Sequence, residues 1–318
     1  MSHLPAALIE PEDGLQTRMR FRLSASQLKM FHPDSGGCPR KWALHYLARV
    51  PRIPNQALAD GIRLHECIAD LFTLGATAWE QKWPVFVAPD ATSDAHARAK
   101  TAQLALAMAE QAPAGKMPPT VEGTDMLEVP ELDTAFYIKP DWTRDHAVFL
   151  DWKSTGAPNF RSPFCLHDTA LWPDGVVPET IFFRGERHRV HWLKNDIQAR
   201  LYAYGLMQLW HEVRVKARWV YGSKGFELGQ RPRVWIVEHT FERAETRDWV
   251  EKHIWPIART MNTIRAAFES GRLDSALLVP HAAESCGYTG RFCDGLGVCG
   301  FQASPVPMKK LALPVLPA

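Results

Sequence analysis

Two neighbouring segments, AFYIKPDW at 135–142 and AVFLDWKS at 147–154, indicate how the chain folds. Each segment is short, rich in β-branched and aromatic residues, and bounded by turn-forming residues, which is typical of β-strands. If the chain turns over residues 145–147, the register places Asp141 opposite Asp151. Residues directly opposed in an antiparallel pair have Cβ atoms about 4.5–5.5 Å apart. The two segments therefore predict a hairpin that brings two carboxylates together.

Strand alternation places Lys153 on the same face as Asp151. Two close carboxylates repel each other unless a proton or a cation lies between them, and Mg²⁺ or Mn²⁺ suits such an oxygen pair. Lys153 could then position a water or stabilise charge on a phosphate. The alternative is a solvated strand face without function, and Pro140 weakens the case for a central strand because it donates no hydrogen bond.

The order of elements along the chain predicts a mixed α/β protein with one main core. A helical N-terminal region is followed by short strands, a helix, two more strands and a long helix. Helices are predicted near residue 25 and over 38–50, 56–74, 92–112, 195–211 and 243–270, the last interrupted at Pro256. Strands are predicted over 126–132, 135–142, 147–154, 213–222 and 233–241.

Charge and composition exclude several classes of protein. The chain of 318 residues carries 37 Lys and Arg against 35 Asp and Glu, a formal charge of +2, so it is no polycationic nucleic-acid binder. No secretory signal or membrane span is visible in the sequence. We therefore expect a soluble intracellular protein whose cysteines are reduced and available to bind metal.

Three further residues on predicted helices are candidates for the same site as the two aspartates. His65 falls on the predicted apolar face of the helix over 56–74, and Gln198 and Tyr202 stand four residues apart on one helix face. Each feature alone has an ordinary explanation, because a helix histidine often serves packing and the Gln–Tyr spacing is common. That predicted apolar face consists of Leu58, Ile62, His65, Ala69 and Phe72.

Along the chain, His65 is followed by Asp141, then by Asp151-Trp152-Lys153, and then by Gln198-x-x-x-Tyr202. This ordered set resembles the PD-(D/E)XK nuclease superfamily in its RecB-like branch. The segment CPRKWALHYL at 38–47 and the terminal cysteines resemble more specifically its iron–sulfur members, such as the CRISPR-adaptation nuclease, AddB and viral exonucleases. The resemblance implies a restriction-endonuclease-like α/β core, a mixed central sheet flanked by helices, with a helical N-terminal region and a cysteine-rich C-terminal loop. It implies an extension over 1–21, a nuclease domain over 22–300 and a tail over 301–318.

The resemblance also implies a role for each motif residue. His65, Asp141, Asp151 and the backbone carbonyl of Trp152 would bind Mg²⁺ or Mn²⁺. Lys153 would assist the attacking water, and Gln198 and Tyr202 would position the DNA strand. The predicted catalytic set is therefore Asp141, Asp151, Lys153, Gln198 and Tyr202.

The cysteines predict a second metal site. Cys286, Cys293 and Cys299 form a C-x6-C-x5-C pattern in a glycine-rich stretch, and Cys38 could supply a fourth thiolate. Four thiolates hold either a 4Fe–4S cluster or tetrahedral zinc, and the family resemblance favours 4Fe–4S. The iron–sulfur relatives usually carry C-x2-C-x5-C, in which the first gap is narrower than here. The alternative to a metal site is a set of reduced loop cysteines. Cys67 is expected to pack in the core.

Local basic residues predict where DNA binds. Arg184, Arg187, Arg189 and Lys194 lie beside aromatic residues that could stack on bases, although a solvated loop is the alternative. We interpret 154–192 as an insertion that shapes DNA access.

These features together favour an exonuclease acting on single-stranded DNA ends. The alternative is a DNA-end-binding assembly subunit with weak or vestigial nuclease activity. Expected partners are DNA and recombination or CRISPR-adaptation proteins, without a membrane. The expected location is the cytoplasm of a bacterial or archaeal cell, or that of the host for a viral protein.

Overall fold

A computed structural model describes residues 18–35, 37–51, 56–113, 119–155, 180–183, 186–189, 195–276 and 279–280. The chain divides into two compact units. The first combines residues 1–24 with 55–254, and the second combines residues 25–54 with 255–318.

The described elements alternate along the chain much as the sequence predicts. The helices are α1 (Ala25–Phe31), α2 (Pro39–Tyr46), α3 (Gln56–Thr73), α4 (Ala76–Lys82), α5 (Ser93–Ala109), α6 (Ile197–Leu209) and α7 (Arg243–Glu269). The strands are β1 (Phe21–Ser24), β2 (Thr120–Val121), β3 (Asp125–Val129), β4 (Thr134–Ile138), β5 (Trp142–Arg144), β6 (Val148–Thr155), β7 (Thr180–Phe183), β8 (Glu186–Arg189), β9 (Arg214–Ser223) and β10 (Val234–Glu242).

The first unit contains a five-stranded mixed sheet in the order β10-β9-β6-β5-β2. Strands β6 and β9 are parallel, whereas the other pairs are antiparallel. A parallel pair needs a crossover, and α6 lies in the chain between β6 and β9. A second sheet has the order β1-β4-β3, and β7 pairs with β8 within the predicted insertion. With helices α3, α5 and α6 packed on these strands, the chain is an α/β protein with mixed sheets flanked by helices.

The register of the predicted hairpin is confirmed. Arg144 pairs with Val148 and Trp142 with Leu150, which leaves residues 145–147 as the turn. Asp145 and His146 both adopt positive φ angles, which Asp and His tolerate better than most other residues. Continued by one pair, this register places Asp141 opposite Asp151.

Both faces of β6 are covered, and each face has a different neighbour. Leu150 and Trp152 belong to the apolar cluster that also contains Trp142. Phe149, on the other face, contacts the ring of Tyr202 edge-on with centroids 6.0 Å apart. Asp151 shares the face of Phe149, so its carboxylate points toward the side that α6 covers.

The expectation of a single strand over 135–142 is wrong. The segment ends as β4 at Ile138, and β5 begins at Trp142 in a different sheet. Pro140 lies between the two strands and donates no backbone hydrogen bond, so it cannot continue a ladder. As a result, Asp141 stands at a corner between the two sheets.

The predicted apolar face of α3 is wrong at its first two residues, whereas Phe72 packs against the apolar cluster as expected. Leu58 is 38% exposed and Ile62 is 48% exposed, whereas Leu64, Cys67 and Ile68 are buried in the apolar cluster. The packing of α3 against α5 and β6 uses this second apolar stripe. Cys67 packs in the core, as expected.

The second unit contains α1, α2 and the later part of α7. The buried Trp42 ring meets Phe31 edge-on at 5.3 Å, and its indole N–H donates to Gln27 Oε1. The predicted interruption of the long helix is wrong, because α7 runs through Pro256. Among the described residues, no helix combines the length and apolar character needed to cross a bilayer.

Cys38 is buried and precedes the first turn of α2. Two residues later, the Arg40 backbone N–H donates to the carbonyl of Pro280, and Arg40 Nε donates to that of Val279. These contacts hold the chain six residues before Cys286 close to the start of α2. Cys286, Cys293 and Cys299 themselves lie outside the described residues, as does the predicted tail over 301–318.

Candidate metal centre

The corner between the two sheets determines where the Asp141 carboxylate lies. Asp141 Oδ2 accepts a 2.7 Å hydrogen bond from the backbone N–H of Trp152 on β6. The residue is buried, which fixes the orientation of its second oxygen. Asp141 Oδ1 lies 3.3 Å from Nδ1 of His65.

The His65 ring joins α3 to the same corner. Its Nε2 lies 3.0 Å from the carbonyl oxygen of Trp152, and because a carbonyl only accepts, Nε2 carries the proton of this hydrogen bond. Its Nδ1 therefore faces Asp141, and it also lies 3.6 Å from Oε1 of Glu122. A neutral His65 in this tautomer presents an Nδ1 lone pair to the two carboxylates.

His65, Glu122 and Asp141 form a group that could hold a metal ion. One ligand atom from each lies within 4.8 Å of the others. Two carboxylate oxygens suit Mg²⁺ and Mn²⁺, whereas the imidazole nitrogen shifts the preference toward transition metals such as Mn²⁺. A buried acid and a partly buried acid beside one imidazole therefore fit a divalent cation.

The pKa values of this group reflect crowded negative charge. Burial and the nearby Asp151 raise the pKa of Asp141 to about 6. Burial opposes the charged form of His65, but its hydrogen bonds with Asp141 and Glu122 prevail and raise its pKa to about 10. In the metal-free protein at neutral pH, a proton on His65 thus compensates the two acids.

Asp151 lies beside this group and is held from two sides. Its carboxylate is 1% exposed, and Oδ1 accepts a 2.9 Å hydrogen bond from Gln198 Nε2. Oδ2 forms a close ion pair with the ammonium of Lys153. Burial disfavours the charged form of Lys153, but Asp151 and Asp141 outweigh it and raise its pKa. Lys153 is consequently a stable cation next to the candidate metal group.

Helix α6 places Gln198 and Tyr202 over β6. The Asp196 side chain caps the helix by accepting a 3.0 Å hydrogen bond from the Ala199 N–H, so Gln198 falls in the first turn. Tyr202 lies one turn later, packs on Phe149 and hydrogen-bonds the side chain of Gln198. Burial and the nearby Asp151 raise the pKa of the Tyr202 phenol, which keeps it neutral.

The structure brings most of the predicted site residues together. Those that meet here are His65, Asp141, Asp151, Trp152, Lys153, Gln198 and Tyr202. Two details differ from the expected ligand set. The Trp152 carbonyl accepts a hydrogen bond from His65, and Glu122 stands with His65 and Asp141 where Asp151 was expected.

Glu122 was missed by the sequence analysis. It follows the two-residue strand β2, adopts a φ of 52° and donates its backbone N–H to the Asp141 carbonyl at 3.0 Å. The only local signal is an acid before Gly123, which favours a turn, after two β-branched residues. Its approach to the site depends on the pairing of Val121 with Trp142.

The predicted DNA-binding residues are described only in part. Arg187 and Arg189 lie on β8, but their side chains are outside the described residues. Arg184 and Lys194 also lie outside them. A DNA-binding role for these residues stays a prediction.

Comparisons with known proteins find distant structural similarity and no match to a family model. No family model matches the chain, and no curated protein matches it. A solved structure from Eubacterium rectale, named "Putative exonuclease", shares 14% sequence identity at a TM-score of 0.49. The similarity covers 92% of this chain and 91% of that one.

The described residues combine an α/β fold with a candidate metal centre. This chain is an α/β protein with mixed sheets, and a group of two carboxylates and one imidazole at a sheet corner could hold a divalent cation. The ion pair between the buried Asp151 and the partly exposed Lys153 adjoins that group.

Proposed function

We propose that this protein is a divalent-metal-dependent DNA nuclease, and that it acts as an exonuclease on single-stranded ends. The observation that supports this most is the placement of His65, Glu122 and Asp141 beside the Asp151–Lys153 pair. Hydrolysis of a phosphodiester needs a cation for the phosphoryl oxygen and a stable positive charge for the transition state. Ligands for the first and an ammonium for the second occur here together.

The residues of the chain divide this work. His65, Glu122 and Asp141 would hold the cation, which when bound polarises a phosphoryl oxygen and lowers the pKa of water. Lys153 stays protonated, so it can donate to a phosphate or water oxygen but cannot accept a proton from water. Its role would therefore be electrostatic, and Asp151 would hold its ammonium in place.

Gln198 and Tyr202 would fix the orientation of Asp151. Gln198 occupies one oxygen of that carboxylate, and Tyr202 in turn contacts Gln198. This leaves Lys153 as the partner of the other oxygen. The motif order shared with RecB-like nucleases, which includes these two residues, favours a DNA strand as the substrate.

We further propose that Cys38, Cys286, Cys293 and Cys299 hold a 4Fe–4S cluster, with zinc as the alternative. No cysteine cluster occurs among the described residues, where Cys38 and Cys67 are free thiols. Support comes from the hydrogen bonds of Arg40 to Val279 and Pro280, which hold the chain that leads to Cys286 near Cys38. Four thiolates there would tie the two parts of the second unit together.

Labelled DNA tests the nuclease directly. Single- and double-stranded DNA, labelled at the 5′ or the 3′ end, should be shortened in Mn²⁺ or Mg²⁺ and remain intact with a chelator. Asp151→Ala and Lys153→Ala should abolish cleavage, whereas the exposed Asp90→Ala should not. Cleavage unchanged in both site variants would refute the site assignment. Tight end binding without cleavage by the wild type would favour the assembly-subunit alternative.

A further inference from the structure

A second lysine stands at the edge of the candidate metal group, and the nuclease motifs do not include it. Lys139 lies in the three-residue link between β4 and β5, two residues before Asp141. Its Nζ is 3.7 Å from Oε2 of Glu122, whose other oxygen faces His65. The Lys139 side chain is 46% exposed, so its ammonium adjoins the site and also meets solvent.

The contact between Lys139 and Glu122 is loose. A separation of 3.7 Å exceeds that of an ordinary hydrogen bond, and exposed ion pairs contribute little to stability. Lys153 differs, because it is in close contact with the buried Asp151. The Lys139 ammonium can therefore turn from Glu122 to an incoming anion at little cost, whereas Lys153 stays where it is.

The charge of the whole site favours such an anion. The carboxylates of Glu122, Asp141 and Asp151 are nearly balanced by the ammonium groups of Lys139 and Lys153. A bound divalent cation beside a neutral His65 brings the sum to a single positive charge. That charge matches one phosphodiester, and loss of Lys139 would cancel it.

We propose that Lys139 binds a non-bridging phosphate oxygen of the substrate strand, at a phosphate next to the one that is cleaved. This inference rests on the proposed nuclease function and adds a substrate-binding residue to it. Lys139 would act on the affinity for the strand and on its salt dependence. It would not take part in the reaction at the cleaved phosphate.

Binding of a fluorescent single strand measures this contribution. Ca²⁺ replaces Mn²⁺ to suppress turnover, and the dissociation constant is measured over a range of salt concentrations for the wild type, Lys139→Ala, Lys139→Arg and Lys216→Ala. Lys216 is a matched control, since it is 38% exposed and paired with an acid, Glu238, near the opposite end of β6. Thermal melting confirms that each variant is folded.

Lys139→Ala should weaken binding about three- to tenfold at low salt and reduce the slope of log K against log salt by about 0.7, the value for one contact to a single strand. Lys139→Arg should keep the affinity and the salt slope near their wild-type values, and Lys216→Ala should change neither quantity. In cleavage assays, Lys139→Ala should raise KM and leave kcat and the half-saturating Mn²⁺ concentration near their wild-type values.

Two results would overturn the proposal. One is an unchanged salt slope in Lys139→Ala while the wild type cleaves DNA, and this leaves the nuclease function standing. The other is a shift in the Mn²⁺ requirement without a change in DNA affinity, which would mean that Lys139 only positions Glu122. If the wild type neither binds nor cleaves DNA, the nuclease function fails together with the inference.

Discussion

The Asp141 carboxylate accepts a hydrogen bond of 2.7 Å from the backbone N–H of Trp152. The carbonyl of the same Trp152 lies 3.0 Å from Nε2 of His65, so one residue of β6 orients both an acid and an imidazole of the candidate metal centre. Backbone groups of a central strand move little, and this rigidity preorganises the site.

Metal binding should depend on pH through His65. Its pKa of about 10 means that Nδ1 is protonated in the metal-free protein at pH 7.5, and a ligand nitrogen must lose that proton. Mn²⁺ affinity should therefore rise about tenfold per pH unit between pH 6.5 and 8.5. Below about pH 6 the dependence should steepen, because Asp141 then binds a proton as well.

Calorimetry of Mn²⁺ binding in two buffers of different ionisation enthalpy counts the released protons. We expect close to one proton per Mn²⁺ at pH 7.5 for the wild type. In His65→Gln the release should disappear and the affinity should fall. Buffer-independent heats for the wild type would contradict the assignment of His65 as a ligand.

The packing of α6 on β4 should limit substitution at Gly205. A Cβ at this position would come within 2.5 Å of both Cγ1 and Cδ1 of the buried Ile138. Gly205→Ala should therefore destabilise the protein by about 1–3 kcal/mol through overpacking. It should also lower nuclease activity, since α6 carries Gln198 and Tyr202.

Gly61 on α3 provides a matched comparison for Gly205. Nothing lies within 4 Å of a Cβ built there. Gly61→Ala should stabilise the protein by about 0.5–1 kcal/mol, because glycine is less favourable than alanine in a helix interior by about this amount. Urea unfolding of both variants checks the pair, and equal effects would contradict the described packing of α6.

Substitutions of the two described cysteines should differ in their effect on the iron content of the protein. Protein purified without oxygen should contain iron and lose it in Cys38→Ser, if Cys38 is a cluster ligand. Cys67→Ala should keep the iron, because Cys67 is a core residue whose pKa is raised to about 12 by burial and the nearby Asp70. Stoichiometric zinc in a colourless protein would support the zinc alternative, and iron retained by Cys38→Ser would exclude Cys38 as a ligand.

Local patterns were sufficient to predict the hairpin. The period of two in 147–154 and the turn over 145–147 fix its register, and the structure has that register. The ends of α3, α5 and α6 also follow from local signals to within about four residues. These features depend on neighbours in sequence, which the sequence displays directly.

Features that depend on distant neighbours were not predictable in the same way. Helix α3 carries apolar residues on two stripes, and only the position of β6 and α5 decides that Leu64 is buried while Ile62 is exposed. Glu122 reaches the site through the two-residue strand β2, which is too short to leave a periodic signal. Its role as a candidate ligand therefore emerges only from the tertiary structure.

The rate of single-strand cleavage as a function of Mn²⁺ concentration, compared between the wild type and Asp141→Asn, tests the central claim most directly. Asparagine keeps an oxygen that can accept the Trp152 N–H, so the variant should fold, but it removes the charge of a candidate ligand. We expect a saturable Mn²⁺-dependent rate for the wild type and a rate at least about 100-fold lower for Asp141→Asn. Equal rates for the two proteins at every Mn²⁺ concentration would contradict the claim that this centre performs the cleavage.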